Sequence, residues 1–377
     1  MANADDILEG PLTDDERRQT TFTDSVKFTD FERLLADKFG ERFKVYRADY
    51  YRSLNYDKNG FIPDFPITLT MELVNRCNLD CIMCYTQNHN EEKETLGFER
   101  IRKVLSECEE NGLPALVLGL GSEPLLFKGA REVMAEAANR GVMDIFLGTN
   151  GVLLTPALSD FLVEQQIARV EISLDAATPE TYFKVRRKNE LERIEANIHA
   201  LIEAKRRKGS TLPVIRLCFC VVDINKHESE AFLERWQGKV DYVDFQKFID
   251  FQHVDELRES GTVKNLDALE VKDLHCAYPF NSLHVWANGN VTPCCTFFAR
   301  NPALSVGNIA FQSLKEIWNG PAIKEIRRQL LTGDLNPTCK VCLSQRGHDT
   351  FEQVKAQHAD AAGDQASVSR PNQGTAA

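Results

Sequence analysis

The spacing of its cysteines constrains this chain more than any other feature. Eleven cysteines occur among 377 residues, and three of them form C-x3-C-x2-C within residues 77–84. A second group comprises Cys276, Cys294, Cys339 and Cys342. Because residues 1–10 are acidic and lack the apolar run of a secretory signal, we expect a cytoplasmic protein. Grouped cysteines in a reducing compartment more often bind metal or catalyse reactions than form disulfides.

The charge balance argues against two classes of partner. With 45 Lys and Arg against 56 Asp and Glu, the formal net charge is −11, which disfavours binding to nucleic acid or to an anionic membrane. No stretch approaches the 18 apolar residues of a membrane span. The basic runs at 186–188 and 205–208 lack interleaved aromatic residues for base stacking, so we predict that both are solvated surface.

Alternating apolar and helical patterns predict the fold class. Apolar runs suited to strands lie at about 67–73, 115–119, 143–148, 169–174, 214–222 and 242–245. Helical patterns separate them, so we predict an α/β fold with a parallel sheet or partial barrel. Beyond residue 250 the alternation of strand and helix patterns ends. Residues 282–293 predict a hairpin around an Asn-Gly turn.

We therefore divide the chain into four regions. Residues 1–65 form an N-terminal extension with one amphipathic helix, and residues 66–250 form the α/β core. Residues 251–350 form a small C-terminal domain. Residues 351–377 are poor in large aliphatic side chains and are predicted to be disordered.

The first cysteine group follows the first predicted strand. In a parallel barrel, the C-terminal ends of the strands carry the active site. Cys77, Cys81 and Cys84 provide three thiolates, which suffice for three irons of a [4Fe–4S] cluster and leave the fourth iron open to a small molecule. A zinc site with His89 as fourth ligand, or chance clustering, is the alternative that the spacing leaves open.

This segment resembles the radical S-adenosylmethionine (SAM) superfamily, whose signature is C-x3-C-x2-C after the first strand of a partial (β/α)6 TIM-like barrel. The resemblance covers about residues 67–347. It implies that SAM binds the open iron and that reductive cleavage yields a 5′-deoxyadenosyl radical, which abstracts a substrate hydrogen. It also implies reduced flavodoxin or ferredoxin as the electron donor.

Short motifs at the ends of later strands extend the resemblance. Residues 121–124, Gly-Ser-Glu-Pro, are similar to the family's Gly-Gly-Glu-Pro, with Ser in place of the second Gly, and residues 149–151 are similar to its Thr-Asn-Gly. Residues 173–175, Ser-Leu-Asp, end the fourth predicted strand, where the family places its ribose contacts. Taken singly, Asn-Gly is also an ordinary turn and Ser-Leu-Asp also caps a helix. The SAM-binding residues implied are Tyr85, Gly121, Ser122, Glu123, Asn150, Ser173, Asp175 and Arg216.

Three residues share one face of the fifth predicted strand because side chains alternate along a strand. Arg216, Cys218 and Cys220 would line the lumen, with Arg216 suited to a carboxylate. The two cysteines are candidates for donating a hydrogen atom or for touching substrate. The alternative is that both are small buried apolar residues.

The second cysteine group is similar to the auxiliary-cluster domain of the SPASM/twitch subfamily, including Gly289 five residues before Cys294. The full SPASM form adds further cysteines, whereas none follows Cys342 here. Four ligands therefore imply one auxiliary [4Fe–4S] cluster, as in the shorter twitch form. A four-thiolate zinc site remains a rival, as does Cys295 in place of Cys294.

From this resemblance we predict a radical SAM oxidoreductase that dehydrogenates a small molecule, such as a sugar or aminocyclitol alcohol. The radical takes a carbon-bound hydrogen, a base takes the hydroxyl proton, and the auxiliary cluster accepts the second electron. One alternative is a maturase that modifies a peptide or protein side chain, although residues 1–65 are short for a peptide-recognition domain. The other is a non-enzymatic protein stabilised by metal.

Overall fold

The computed structural model describes most of the core of the chain. The ranges described are residues 30–84, 93–119, 121–248, 263–294 and 304–345, with residues 4, 8, 256, 257 and 260. The predictions made for Tyr85, His89, Cys295 and the tail at 351–377 lie outside the described residues.

Within those ranges, nine strands form one open sheet. They are β1 (Thr68–Met71), β2 (Ala115–Leu118), β3 (Asp144–Thr149), β4 (Arg169–Ser173), β5 (Val214–Val221), β6 (Tyr242–Lys247), β7 (Ser282–Val285), β8 (Asn290–Thr292) and β9 (Gly307–Asn308). Their order is β6-β5-β4-β3-β2-β1-β7-β8-β9. The first six strands are parallel neighbours in chain order, so the predicted partial barrel is confirmed.

Helices precede β1, alternate with the six parallel strands and continue after β6. They are α1 (Asp30–Phe39), α2 (Glu41–Leu54), α3 (Tyr56–Asn59), α4 (Phe98–Glu110), α5 (Ala130–Asn139), α6 (Pro156–Glu164), α7 (Pro179–Arg186), α8 (Leu191–Lys208), α9 (Ser229–Trp236), α10 (Tyr278–Asn281), α11 (Leu314–Trp318), α12 (Pro321–Thr332) and α13 (Pro337–Gln345). Alternate strand residues such as Val170 and Leu217 share one apolar core with Ile194 and Ile198 of α8. The side chains at the other strand positions therefore point to the inner face of the sheet. No helix in the described ranges is long and apolar enough to cross a membrane.

The N-terminal region is more extensive than the single predicted helix. Helices α1 and α2 bury Leu35, Phe43 and Tyr46 in a cluster with residues that begin the strands, such as Ala115. The Tyr46 hydroxyl donates a 3.0 Å hydrogen bond to Asp144 at the start of β3. The predicted amphipathic helix is α1, whereas α2 was not predicted because its buried face mixes apolar residues with Tyr46, Tyr51 and Ser53. Residues 30–59 therefore close the bottom of the barrel.

The C-terminal region joins the same sheet. Strand β7 pairs in parallel with β1, and β7 and β8 form the predicted antiparallel hairpin. Gly289 in its turn has φ +87°, a left-handed value that glycine adopts readily. The indole N–H of Trp318 donates to the Pro63 carbonyl at 2.7 Å. The C-terminal region is thus anchored to the edge of the barrel beside β1.

Candidate active site

The loop that follows β1 holds the first cysteine group at the C-terminal edge of the sheet. The Cys77 sulfur accepts hydrogen bonds from the Leu79 backbone N–H and from Asn150 Nδ2, each at 3.5 Å. The Cys81 sulfur accepts from Arg186 Nη1 at 3.4 Å, and the Cys84 N–H donates to the Cys81 carbonyl at 3.0 Å. Groups from the loops that follow β1 and β3 and from helix α7 therefore meet here.

The chemistry of these donors fits an iron–sulfur cluster. Loss of hydration raises the pKa of Cys77 to about 11 and also raises that of the buried Cys81, although the charge of Arg186 lowers the pKa of Cys81. Such thiols lose their protons when a cation binds them. Each iron of a cluster takes one thiolate, so the three sulfurs need not converge on one point. In the described ranges, no three Cys, His, Asp or Glu side chains are grouped to hold a single metal ion.

Glu123 lies just after β2, beside this loop, and is buried. Its Oε1 accepts from the Leu125 N–H at 3.1 Å and from the Thr149 hydroxyl at 2.9 Å, and its Oε2 accepts from the Asn150 N–H at 2.8 Å. Burial raises the pKa of Glu123 from 4.5 to about 7, although those three hydrogen bonds oppose the rise. At neutral pH the group is poised between carboxylic acid and carboxylate, so a nearby cation would draw it to the carboxylate.

Glycines let the loops after β2 and β3 approach closely. Gly119 has φ +97°, and a Cβ on it would lie 2.0 Å from the Gly148 carbonyl oxygen. Gly121 has φ +102°. The Gly-Ser-Glu-Pro segment therefore keeps a positive φ at its first residue, and Ser122, which replaces the family's glycine, lies half-buried beside it.

Asn150 connects the loops after β3 and β1. Its Nδ2 donates to Asn78 Oδ1 at 2.8 Å as well as to the Cys77 sulfur, and its Oδ1 accepts from the Val152 N–H at 3.0 Å. The side chain is buried. Asn150 is therefore positioned by both loops, and its proposed contact with SAM stays a prediction.

Asp175 and Arg186 form a buried ion pair behind the cysteine loop. Asp175 has φ +63°, and its Oδ1 also accepts the Cys220 N–H at 2.7 Å. The prediction that residues 186–188 are all solvated surface was wrong for Arg186, because this side chain faces the loop and has a carboxylate partner. Tyr182 and Val185 are buried on the same face of α7 as Arg186, and that i, i+3, i+4 pattern is the sequence signal that we missed. The ribose contact assigned to Asp175 stays a prediction.

A second polar group lies on the inner face of β4, β5 and β6. Arg216 pairs with Glu171 at 3.1 Å and with Asp244, so two carboxylates already flank the guanidinium that we assigned to the SAM carboxylate. Gln246 Nε2 donates to the Cys218 sulfur at 3.3 Å. These contacts follow the register, in which Glu171 opposes Arg216 and Cys218 opposes Asp244. The sequence reasoning did not single out Glu171.

The two cysteines of β5 lie in different surroundings. Cys218 is buried beside Asp244, and burial raises its pKa well above the ordinary value. Cys220 is less buried and lies near Asp175 and Cys81, with a pKa raised to about 12 by burial. Both therefore carry neutral thiols at neutral pH. A neutral S–H is the form that can give up a hydrogen atom, and the predicted roles of both residues stay open.

The second cysteine group is held by the C-terminal domain and by the N-terminal helices. The Cys276 N–H donates to the Tyr56 hydroxyl at 3.2 Å. Asn336 accepts from the Cys339 N–H at 2.9 Å and donates to the Cys339 sulfur at 3.2 Å. Cys339 and Cys342 lie on α13, whereas Cys294 follows β8. Four soft thiol donors fit an iron–sulfur cluster whose four irons each take one protein ligand.

The basic run at the end of α8 is offset by acidic neighbours. Lys205 pairs with Asp241 at 2.7 Å and Arg206 with Glu203 at 2.7 Å. Arg207 and Lys208 also pair with acidic residues on α6. The prediction that this run is solvated surface is consistent with this pairing, because each cation already has a counterion.

Two family models match the chain. The model described as the radical SAM superfamily matches residues 71–217, and the SPASM model, described as an iron–sulfur cluster-binding domain, matches residues 276–343. The first contains the first three cysteines and the whole of β2, β3 and β4. The second contains all four cysteines of the second group.

Curated relatives match part of the chain. A protein named probable GTP 3′,8-cyclase from Methanothermobacter thermautotrophicus is 31% identical over 137 residues, which are 36% of this chain and 44% of the relative. A GTP 3′,8-cyclase from Thermodesulfovibrio yellowstonii is 31% identical over 191 residues, which are 49% of this chain and 56% of the relative. The chain thus spans about half the length of these relatives.

Solved structures share the fold. Native anSMEcpe with bound AdoMet and Cp18Cys peptide aligns with a TM-score of 0.56 at 15% identity, covering 79% of this chain and 97% of that chain. Native anSMEcpe with bound AdoMet aligns with a TM-score of 0.52 at 15% identity, covering 79% and 99%. At this identity the likeness extends to the fold alone.

Proposed function

The chain belongs to the radical SAM superfamily and carries a SPASM-type iron–sulfur domain, and on that premise we propose that it dehydrogenates a small hydroxylated molecule. The observation that carries the proposal is the meeting of Cys77 and Cys81 with Asn150 and Arg186 at the C-terminal edge of the barrel. This edge is where parallel barrels bind their substrates.

In this proposal, each cysteine group holds one cluster, and the two clusters have different roles. When bound, the cluster on the first group and SAM supply a 5′-deoxyadenosyl radical that takes a carbon-bound hydrogen, and the auxiliary cluster supplies an acceptor for the second electron. Cys77, Cys81 and Cys84 would hold the first cluster. Cys276, Cys294, Cys339 and Cys342 would hold the second.

The chain's own residues bind SAM in this proposal. Glu123 accepts from the SAM amino group with the lone pairs left by its three internal hydrogen bonds. Gly121 and Ser122 present backbone at the same loop, and Ser173 and Asp175 lie at the end of β4. Tyr85, outside the described residues, is assigned to the adenine.

The inner-face group of β4, β5 and β6 supplies the acid–base chemistry. Oxidation of an alcohol to a ketone removes one hydrogen atom, one proton and one electron. Asp244 lies beside the Cys218 thiol, 3.9 Å from its sulfur, and shares Arg216 with Glu171. A carboxylate at this position can take the hydroxyl proton as a general base. We assign that role to Asp244.

Cyclisation of a purine nucleotide is a second candidate, because the curated relatives are named GTP 3′,8-cyclase. The inner face argues against it in the part that the structure describes. Arg216 is flanked by Glu171 and Asp244, so the three groups carry a net negative charge. A triphosphate needs cations that are not already offset by carboxylates. A neutral or cationic polyol suits this face better.

Isotope transfer tests the proposal. The reconstituted protein, reduced by flavodoxin or dithionite, is incubated with SAM and carbon-deuterated sugars, aminocyclitols or GTP, and 5′-deoxyadenosine is analysed by mass spectrometry. We expect deuterium from a polyol, together with a ketone product. Transfer from GTP with none from the polyols would contradict the proposal and favour the cyclase.

A pair of variants controls the assignment of the base. Asp244→Asn should retain SAM cleavage but lose ketone formation, because the hydroxyl proton has no acceptor. Asp241→Asn, which removes a surface carboxylate paired with Lys205, should retain both. Unchanged ketone formation by Asp244→Asn would refute the role of Asp244.

A further inference from the structure

We propose that Arg186 is a positioning residue that raises the reduction potential of the first cluster through a hydrogen bond to the Cys81 sulfur. The inference rests on the proposed function only in requiring that the first cysteine group binds a cluster. Arg186 was not among the residues assigned to either cofactor.

The end of α7 is fixed to the cysteine loop by its backbone. The Ile82 N–H donates to the Val185 carbonyl at 2.9 Å, and the Asp80 N–H donates to the Arg186 carbonyl at 3.5 Å. Arg187 ends the helix with φ +60°, and its N–H donates to the Phe183 carbonyl at 2.9 Å. The turn that carries Arg186 is therefore held on both sides of Cys81.

The guanidinium itself is fixed by a carboxylate behind it. Arg186 pairs with Asp175, and the two side chains are 9% and 1% exposed. Asp175 is held in turn by the Cys220 N–H. Because an arginine does not lose its proton in proteins, its positive charge persists beside Cys81. Burial of this pair strengthens every electrostatic interaction that it makes.

The position of Arg186 beside the Cys81 sulfur would stabilise the reduced state of the cluster relative to the oxidised state. Reduction adds one electron, supplied by flavodoxin or dithionite, and increases the negative charge shared by the cluster sulfurs. A cation that donates N–H to a ligand sulfur stabilises the more negative state and so raises the potential. Asn150 donates in the same way to Cys77, but as a neutral amide. Arg186 is therefore a charged donor to the sulfurs of this loop, whereas Asn150 and the Leu79 N–H are neutral donors.

A redox titration followed by electron paramagnetic resonance tests the proposal on the holoprotein without SAM. The signal of the first cluster is identified as the one that changes on later addition of SAM. In Arg186→Gln we expect at least a tenfold loss in the equilibrium constant for reduction, about 59 mV toward negative potential for one electron. Arg187→Gln removes an exposed neighbouring charge and should leave the potential unchanged.

A second variant keeps the test decisive if Arg186→Gln fails to assemble the cluster. Arg186→Lys keeps the charge but lacks the planar fork that serves Asp175 and Cys81 together, so it should shift the potential in the same direction by less. An unshifted potential in every cluster-bearing Arg186 variant would overturn the proposal, even if SAM binding were weakened. Absence of any SAM-sensitive signal in the wild type would instead refute the proposed function.

Discussion

Replacing Glu123 by Gln should change how the stability of the protein depends on pH. Glu123 is buried with a pKa of about 7, against 4.5 for an ordinary glutamic acid. The folded protein therefore holds a proton on this group, between pH 4.5 and 7, that the unfolded chain has released. The stability that this group contributes is fully present below pH 4.5 and is lost as the pH rises through 7.

The size of the effect follows from the shift. The difference between 4.5 and about 7 corresponds to about 3 kcal/mol, at about 1.4 kcal/mol for each pH unit. The Gln variant has no titrating group there. The free energy of unfolding of the wild type, minus that of the variant, should therefore fall by about 2 to 3 kcal/mol between pH 5 and pH 8.

Equilibrium urea unfolding of the reduced apoprotein, followed by tryptophan fluorescence, measures this difference. Subtracting the variant cancels the other titrating groups, provided that the slope with urea is the same for both proteins. A difference that does not change between pH 5 and pH 8 would refute the assignment of a near-neutral pKa to Glu123. A rise with pH would mean that its three hydrogen bonds outweigh its burial.

Three further substitutions probe other parts of the molecule. Asp144→Asn leaves Arg169 and Tyr46 without their shared carboxylate and should lower the free energy of unfolding by about 3 kcal/mol, read from urea unfolding; an unchanged midpoint would contradict this. Cys342→Ser should reduce iron from about eight to about four atoms per chain while dithionite-driven SAM cleavage persists. Cys218→Ala should retain SAM cleavage but lose substrate turnover, whereas full turnover would leave this cysteine a purely structural role.

Local patterns were enough to predict the strands and both cysteine groups. Each of the first six strands is a short apolar run bounded by turns. Among these six, strands that are consecutive in the chain pair with each other. The position of β7 beside β1 was not predictable, because it depends on pairing between residues more than 200 positions apart, such as Leu69 and Leu283. Nothing local in either segment specifies that partner.

Charged residues of the inner face were predicted less well than cysteines. Arg186 stands in a run of cations but is buried in an ion pair with Asp175, which comes from another loop. In the sequence, Glu171 resembles the many acidic residues that lie on the surface. Only the pairing of β4 and β5 places it opposite Arg216. The spacing of Tyr182 and Val185 on α7 indicates that Arg186 is buried, but nothing local indicates its contact with Cys81. These residues required the three-dimensional arrangement.

Formation of 5′-deoxyadenosine from SAM tests the central claim most directly. Anaerobically reconstituted protein with its full iron content should produce it only when reduced. Cys77→Ala, Cys81→Ala and Cys84→Ala should each abolish it, whereas Cys108→Ala, which changes a buried cysteine on α4 outside both groups, should not. No 5′-deoxyadenosine from reduced, iron-loaded wild type, or equal amounts from the three loop variants, would contradict the account.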